Sequence, residues 1–298
     1  QQSQRAHDNP ALEFALQQAN RLHLPVLVCF GLMDGYPDAN RRHYRFLLEG
    51  LADIQALLAR RRIRLVVRRG MPPQVALELA AQAALVVCDV GYTRHQRRWR
   101  QTLASSAPCP LVAVEGDVVV PVTSTSPKAE YAARTIRPKL KRHLDAYLHA
   151  CPRYRPKLSS LDLPERGLPL DDLDALLDQL DIDQRVAPVT RFYKGGPTAA
   201  KQRLRQFINH RLARYHAHRN QPHTDDVSTM SPYLHFGHIS PVFLALKVVE
   251  SGRGTQDDRD AYLEELVIRR ELAVNYIYHT PSYDRYEALP TWARKSLD

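Results

Sequence analysis

The chain has 298 residues, 44% hydrophobic and 25% charged, which suits one large or two ordinary globular domains and excludes a low-complexity or disordered protein. Forty-two Lys and Arg against 32 acidic residues leave a net charge of +10, a surface that attracts polyanions, although a GC-rich genome's taste for arginine would raise the charge as well. No apolar run is long enough to span a bilayer and no signal peptide is visible, so no membrane partner is expected.

In chain order, the first half alternates between two periodicities. Helix-spaced apolar residues predict helices over Asn9–Leu22, Arg42–Arg60 and Gln74–Ala83. Among them, Pro25–Leu32, Ile63–Arg69 and Leu85–Val90 are unbroken Val/Leu/Ile/Cys runs, as strands buried on both faces are. Pro110–Val122 supplies one more strand or two. Strands separated by helices imply βαβ units, hence a Rossmann-like doubly wound parallel sheet. No G-x-G-x-x-G follows any strand, which argues against an NAD enzyme. Cys29 and Cys88 lie in strand runs and read as small buried hydrophobes. With Cys109 and Cys151 they form no C-x-x-C pair, which fits a reducing cytosol. The string RHQRRWR (94–100) reads as a solvated helix face, or as a contact for nucleic acid or a pigment.

Glu130–Ala150 is a long basic helical stretch. The Pro-rich segment Cys151–Leu170 reads as a linker. From Pro197 the pattern is helical throughout, over Thr198–Tyr215, Pro241–Ser251 and Asp258–Tyr278, which predicts a second, all-α domain. The expected division is 1–150 for the α/β domain, 151–190 for the connection and 191–298 for the helical domain.

Ser228-Thr229-Met230-Ser231 precedes Pro232 at a predicted helix start. Hydroxyls and unpaired N–H groups at such a start can hold a phosphate, or simply cap the helix. Lys194-Gly195-Gly196 lacks the rest of a P-loop. His210, His216, His218 and His223 crowd one region at spacings that match no tetrahedral metal site, so no metal is expected. Glu265 and Arg269 stand four apart, the spacing of an ordinary surface ion pair.

The string SPYLHFGHIS (231–240) resembles the cofactor-phosphate segment of the photolyase/cryptochrome family. EELVIRRELAVN (264–275), YEALPTWARKSLD (286–298), AEYAARTIRPKLKRHLDAYL (129–148) and the opening QQSQRAHDNPAL resemble the class II cyclobutane pyrimidine dimer photolyases. The resemblance implies an N-terminal antenna domain and a helical FAD-binding domain. In that family the first strand ends just before such an opening, and the flavin domain runs on past the last of these strings, so a fragment is expected, lacking the first strand and the C-terminal part of the flavin pocket.

Carried over residue by residue, the resemblance makes Tyr215, Ser228, Thr229, Met230, Ser231 and Arg269 FAD contacts. It makes Arg219, Glu265, Arg270 and Asn275 DNA contacts. Glu265 is the implied catalytic carboxyl group, which hydrogen-bonds the thymine carbonyls as the dimer gains an electron. To donate that bond it must be protonated, so burial should raise its pKa. The implied reaction is light-driven splitting of pyrimidine dimers in UV-damaged DNA by reduced FAD, with an antenna chromophore of deazaflavin or folate type. The implied enzyme is a monomer on the nucleoid of a bacterial cytoplasm. Two alternatives stay open: a cryptochrome-like flavin photosensor without repair, and an inactive nucleic-acid-binding fragment. Ile268 stands where some relatives carry tryptophan, Val274 where class II members commonly show aspartate, and His238 where glutamine is usual.

Overall fold

The computed structural model describes residues 1–297; Asp298, the last residue of the string 286–298, lies outside the described residues. The first half follows the predicted alternation: α1 Pro10–Leu22, β1 Leu27–Leu32, α2 Arg41–Arg60, β2 Arg64–Arg69, α3 Pro72–Ala80, β3 Val86–Asp89, α4 Arg94–Ser106 and β4 Leu111–Val114. Local chemistry sets these limits. Asn9 caps α1 by accepting the Leu12 N–H, Pro10 needs no partner for its nitrogen, and His23 ends the helix in the left-handed region at φ 53°. Asn40 caps the long α2 in the same way.

The strands form two parallel pairs rather than one continuous sheet. Leu27–Leu32 lie beside Arg64–Arg69, and Val86–Asp89 beside Leu111–Val114. Among the described residues no strand joins β1 to β3. Between them lies a cavity of about 490 Å³ lined by Leu27, Cys29, Val87, Cys88, Leu12 and Ala15, among others. Cys29 and Cys88 are therefore half-buried, not sealed in a core as expected. The strand predicted over Pro110–Val122 stops at Val114. The apolar residues after it cannot join a ladder, because carboxylates occupy their N–H groups: Glu271 takes those of Val119 (2.5 Å) and Val120 (3.3 Å), and Glu115 takes that of Val122 (3.2 Å).

Next come a single turn, α5 (Val122–Thr125), and the basic α6 (Ala133–Tyr147). The segment predicted to be a linker is part of the α/β half. Leu168 donates its N–H to the Val67 carbonyl (2.7 Å), and Ser160 Oγ accepts the Arg64 N–H (2.8 Å). Leu170 joins Leu176 and Leu177 of α7 (Leu173–Asp178) in the same core as Leu48, Leu51 and Val67. Prolines kept this stretch from regular structure, but its leucines still had apolar surface to bury.

The second half is helical as predicted: α8 Pro197–His210, a 3₁₀ turn Leu212–Arg214, α9 Tyr215–His218, α10 Ser231–His235, α11 Pro241–Val249, α12 Gln256–Leu263, a π-helical turn Glu264–Arg269, α13 Arg270–His279, a 3₁₀ turn Tyr286–Ala288 and α14 Thr291–Leu297. No helix among the described residues is long and apolar enough to cross a membrane. Its core, which includes Phe207, Tyr215, Tyr233, Leu244 and Val267, also takes in Phe46 of α2. The Phe46 ring lies about 5 Å from those of Tyr233, Phe236 and His238. Asp53 of α2 accepts both the N–H and the hydroxyl of Thr198 at the start of α8. The two halves thus share one helix.

That shared contact is tight. A Cβ on Gly50 would stand 2.2 Å from His238 Nε2. His238 is fully buried, accepts the Gly196 N–H at Nδ1 (3.0 Å), and is held neutral by burial, which pushes its pKa down to about 3. Its ring is wedged beside Phe46 and Phe236 and has no space to yield. Gly50→Ala should therefore cost about 1–3 kcal/mol, read as a lower midpoint in urea unfolding; an unchanged midpoint would mean that the ring moves aside freely.

Candidate functional site

The site is assembled around α9 and the turn that follows it. Asp258, in the capping box of α12, accepts the His216 N–H (2.9 Å) and so fixes the start of α9. Tyr215 is buried there, its ring 5.6 Å from Phe207 and 5.3 Å from Tyr262. Burial raises the pKa of its phenol. Arg219 lies one turn on, with Nε 4.0 Å from Glu265 Oε1. The structure therefore brings Tyr215, Arg219 and Glu265 together. Glu265 does not meet the expectation of burial: its side chain is 46% exposed, because it projects from the rim of the π-helical turn with no described residue covering it.

Asp226 opens the hydroxyl turn. It accepts two hydrogen bonds from Arg214 (3.0 and 2.6 Å) and pairs with His218 Nδ1 (2.6 Å). Arg214 first, and His218 with it, hold its carboxyl well below the usual range. Thr229 then adopts φ 54°, a left-handed conformation that a β-branched residue rarely takes and that surrounding bonds must hold. Its hydroxyl donates to the Ser228 carbonyl (2.7 Å) and accepts from Arg203 (3.0 Å). Ser228 Oγ accepts the Met230 N–H (3.4 Å) and lies beside the buried Tyr262 hydroxyl, whose pKa burial raises. Ser231 is exposed at the head of α10.

Of the four turn residues, Ser231 reaches solvent fully and Ser228 in part. Met230 does not: its side chain is buried in the helical core, so only its backbone could meet a ligand. Serine hydroxyls, an arginine beside them and the left-handed backbone form a donor set that fits a phosphate group. Tyr262 meets Tyr215 edge-on at 5.3 Å, and Arg219, one turn after Tyr215, faces Glu265 at 4.0 Å, so the tyrosines and the acid–cation pair lie in one neighbourhood.

Three further assignments change. Arg269 pairs with Glu264 (3.4 Å), not Glu265, although its side chain stays 57% exposed. The π turn accounts for this, since its wider winding breaks the simple four-residue spacing. Arg270 is not free for DNA. It donates to the Asp117 carbonyl (2.6 Å) and pairs with the Asp117 carboxylate (3.0 Å). Asn275 is 1% exposed and both ends of its amide are used, on Glu130 N–H (2.7 Å) and Lys128 C=O (3.2 Å). Both residues fasten α13 to the 117–130 segment, which the sequence pattern did not bring near. Val274, on the same helix, packs with Tyr92, Val118 and Val122, which explains an apolar residue there.

Sequence reasoning missed Arg203, Tyr262 and the clamp of Glu264 on Arg137 (3.0 and 2.7 Å). Arg137 is the main cause that lowers the Glu264 pKa. The basic string 94–100 is no simple solvated face. Arg94 bonds Asp284 and Pro281, and Arg97 lies 5.5 Å from the Tyr278 ring.

The DNA photolyase family profile matches residues 1–157. Over 300 residues the chain is 42% identical to the deoxyribodipyrimidine photo-lyase of Methanothermobacter thermautotrophicus, a match that covers 100% of this chain and 64% of that protein. It is 33% identical over 304 residues to the Arabidopsis thaliana protein of that name, covering 99% and 61%. Among solved structures, a bacterial class III photolyase from Agrobacterium tumefaciens shares the fold at a TM-score of 0.75 and 19% identity, with 94% of this chain and 58% of that chain covered. A Synechocystis cryptochrome does so at 0.74 and 20%, covering 94% and 60%. The chain spans 64% and 61% of the length of the two named photo-lyases.

Glu271 gives this site a pH signature. Burial is the main cause that pushes its carboxyl up to about 8 from an ordinary 4.5, against the pull of the Val119 and Val120 N–H groups. Between those values the folded chain holds a proton that the unfolded chain has released. Stability should therefore fall as pH rises through that window. Glu271→Gln keeps one amide oxygen for the Val119 N–H, loses the second acceptor used by Val120, and has no proton to lose, so its unfolding midpoint should be lower overall but vary less with pH. Equal slopes for the two proteins would show that Glu271 titrates normally.

Proposed function

The chain belongs to the DNA photolyase family, and on that footing we propose that it is the greater part of a class II photolyase that splits cyclobutane pyrimidine dimers in UV-damaged DNA under light. The observation that carries this reading is the cluster in which the Ser228–Ser231 hydroxyl turn adjoins Tyr262, Tyr262 meets the Tyr215 ring edge-on, and Arg219, one turn after Tyr215, faces Glu265 at 4.0 Å. It sets a phosphate-binding turn beside an exposed acid–cation pair on one face.

In this reading Ser228 and Ser231 bind the phosphates of FAD, and the Tyr215–Tyr262 pair backs the cofactor. Reduced FAD supplies one-electron donation on excitation by blue or near-UV light. The chain's own residues do the rest. Arg219 meets the DNA backbone, helped by a net charge of +10 that favours phosphate without reading sequence. A damaged step stacks poorly, so turning it out of the duplex toward this face costs less than for an intact one. An extruded dimer that covers Glu265 removes it from water. Desolvation then favours the protonated acid, which donates a hydrogen bond to a dimer carbonyl where negative charge develops. Residues 1–150 form the part that would carry an antenna chromophore of deazaflavin or folate type. The enzyme acts as a cytoplasmic monomer.

The test is repair of an oligonucleotide that contains one thymine dimer, with the chain reconstituted with reduced FAD, in blue light and in darkness. Light-dependent repair is expected; flavin binding without repair would point to a photosensor. Glu265→Ala should lower the repair yield by roughly ten- to a hundredfold while FAD content stays the same. An unaltered yield would remove Glu265 from the mechanism.

A further inference from the structure

This inference rests on the reading of the 228–231 turn as a flavin phosphate site. We propose that Arg203, on α8, is the cation of that site and binds the cofactor phosphate at the position where Thr229 cannot.

Thr229 has one hydroxyl proton, and it goes to the Ser228 carbonyl at 2.7 Å. Its oxygen already accepts from Arg203 Nη1 at 3.0 Å. What remains is lone-pair density, which repels a phosphate oxygen. The threonine is thus spent on holding its own left-handed backbone. The donor next to it is Arg203.

The Arg203 guanidinium is held on several sides. Nη2 donates to the Phe192 carbonyl, and the charged carbon lies 4.6 Å from the Tyr193 ring centroid. Its residue is half-buried. Yet among the described residues no carboxylate lies within 4 Å of it. The neighbouring arginines differ: Arg211 has Asp225, Arg214 has Asp226, and Arg219 has Glu265. A half-buried cation without a counter-ion carries a desolvation cost that an arriving anion relieves. Of the five N–H groups of the planar fork, Nη1 spends one on Thr229 and Nη2 one on Phe192, which leaves donors for an anion. Aromatic and carbonyl contacts fix the group in advance, so little freedom is lost on binding. Ser228, next to Thr229 in the turn, carries a second hydroxyl, whose oxygen accepts the Met230 N–H. Two serine hydroxyls and one guanidinium then share the anion.

The experiment is titration of the flavin-free chain with FAD, followed by quenching of flavin fluorescence at low and high salt, for the native protein, Arg203→Gln and Arg203→Lys. Circular dichroism checks that each is folded. Arg203→Gln should weaken FAD roughly ten- to a hundredfold and make its affinity less sensitive to salt. Arg203→Lys keeps the charge without the fork; it should fall between the two and retain the salt dependence. If Arg203→Gln weakens FAD but leaves the salt dependence intact, Arg203 only braces the turn and the proposal is wrong. If Arg203→Gln binds like the native protein, the proposal fails while the flavin reading stands. If the native protein binds no FAD, the flavin reading itself fails. Should Arg203→Gln not fold, the lysine variant decides: lost salt dependence there overturns the proposal.

Discussion

The Glu271 carboxyl group accepts the backbone N–H groups of Val119 and Val120 inside a region closed to water. Two consequences follow from that geometry. The apolar run after β4 is turned aside from the sheet, and α13 is fixed against it. Arg270 and Asn275 add their own bonds on the same helix, so three polar residues within six positions bind it to the 117–130 segment. The π turn that carries Glu264 and Glu265 is continuous with α13, and its place follows. What looks in the sequence like a ligand-binding string is, for half its members, the anchor that holds the other half in position.

Around the site, charge is sorted by exposure and by partner. Glu264 faces inward and clasps Arg137 with both oxygens, while Glu265, next in sequence, faces outward toward Arg219. The wider winding of the π turn allows adjacent acids to take such different roles. Asp226 is likewise consumed by Arg214 and His218, which steadies the entry to the hydroxyl turn. Arg203, against the same turn, bonds the Thr229 hydroxyl and the Phe192 carbonyl and has no carboxylate within 4 Å among the described residues.

Much of the fold was legible because it rests on periodicity. The helices α1, α2 and α8 begin within a residue of their predicted starts, since Asn and Pro caps mark those starts. The strands β1, β2 and β3 also fall where the apolar runs lie. Apolar runs alone did not reveal that Val118–Val122 leaves the sheet, because the competing acceptor, Glu271, is far away in sequence. The same limit applies at the site. Tyr215, Arg219 and Glu265 could be named from local motifs and do come together. Arg270 and Asn275 were misjudged because their partners lie about 150 residues back. Arg203 carried no local signal at all: a lone arginine on a basic helix looks solvated until the fold brings Thr229 against it.

The gap between β1 and β3 bears on how the α/β half holds its shape. Each two-stranded ribbon leaves one flank of main-chain donors and acceptors unshared, and an isolated ribbon is barely stable by itself. Its rigidity must come from the helices α1, α2 and α3 packed over it, much as a book is kept flat by its covers rather than its spine. Deuterium uptake along the inner flanks of these ribbons would accordingly be governed by the breathing of those helices, not by rupture of a common ladder.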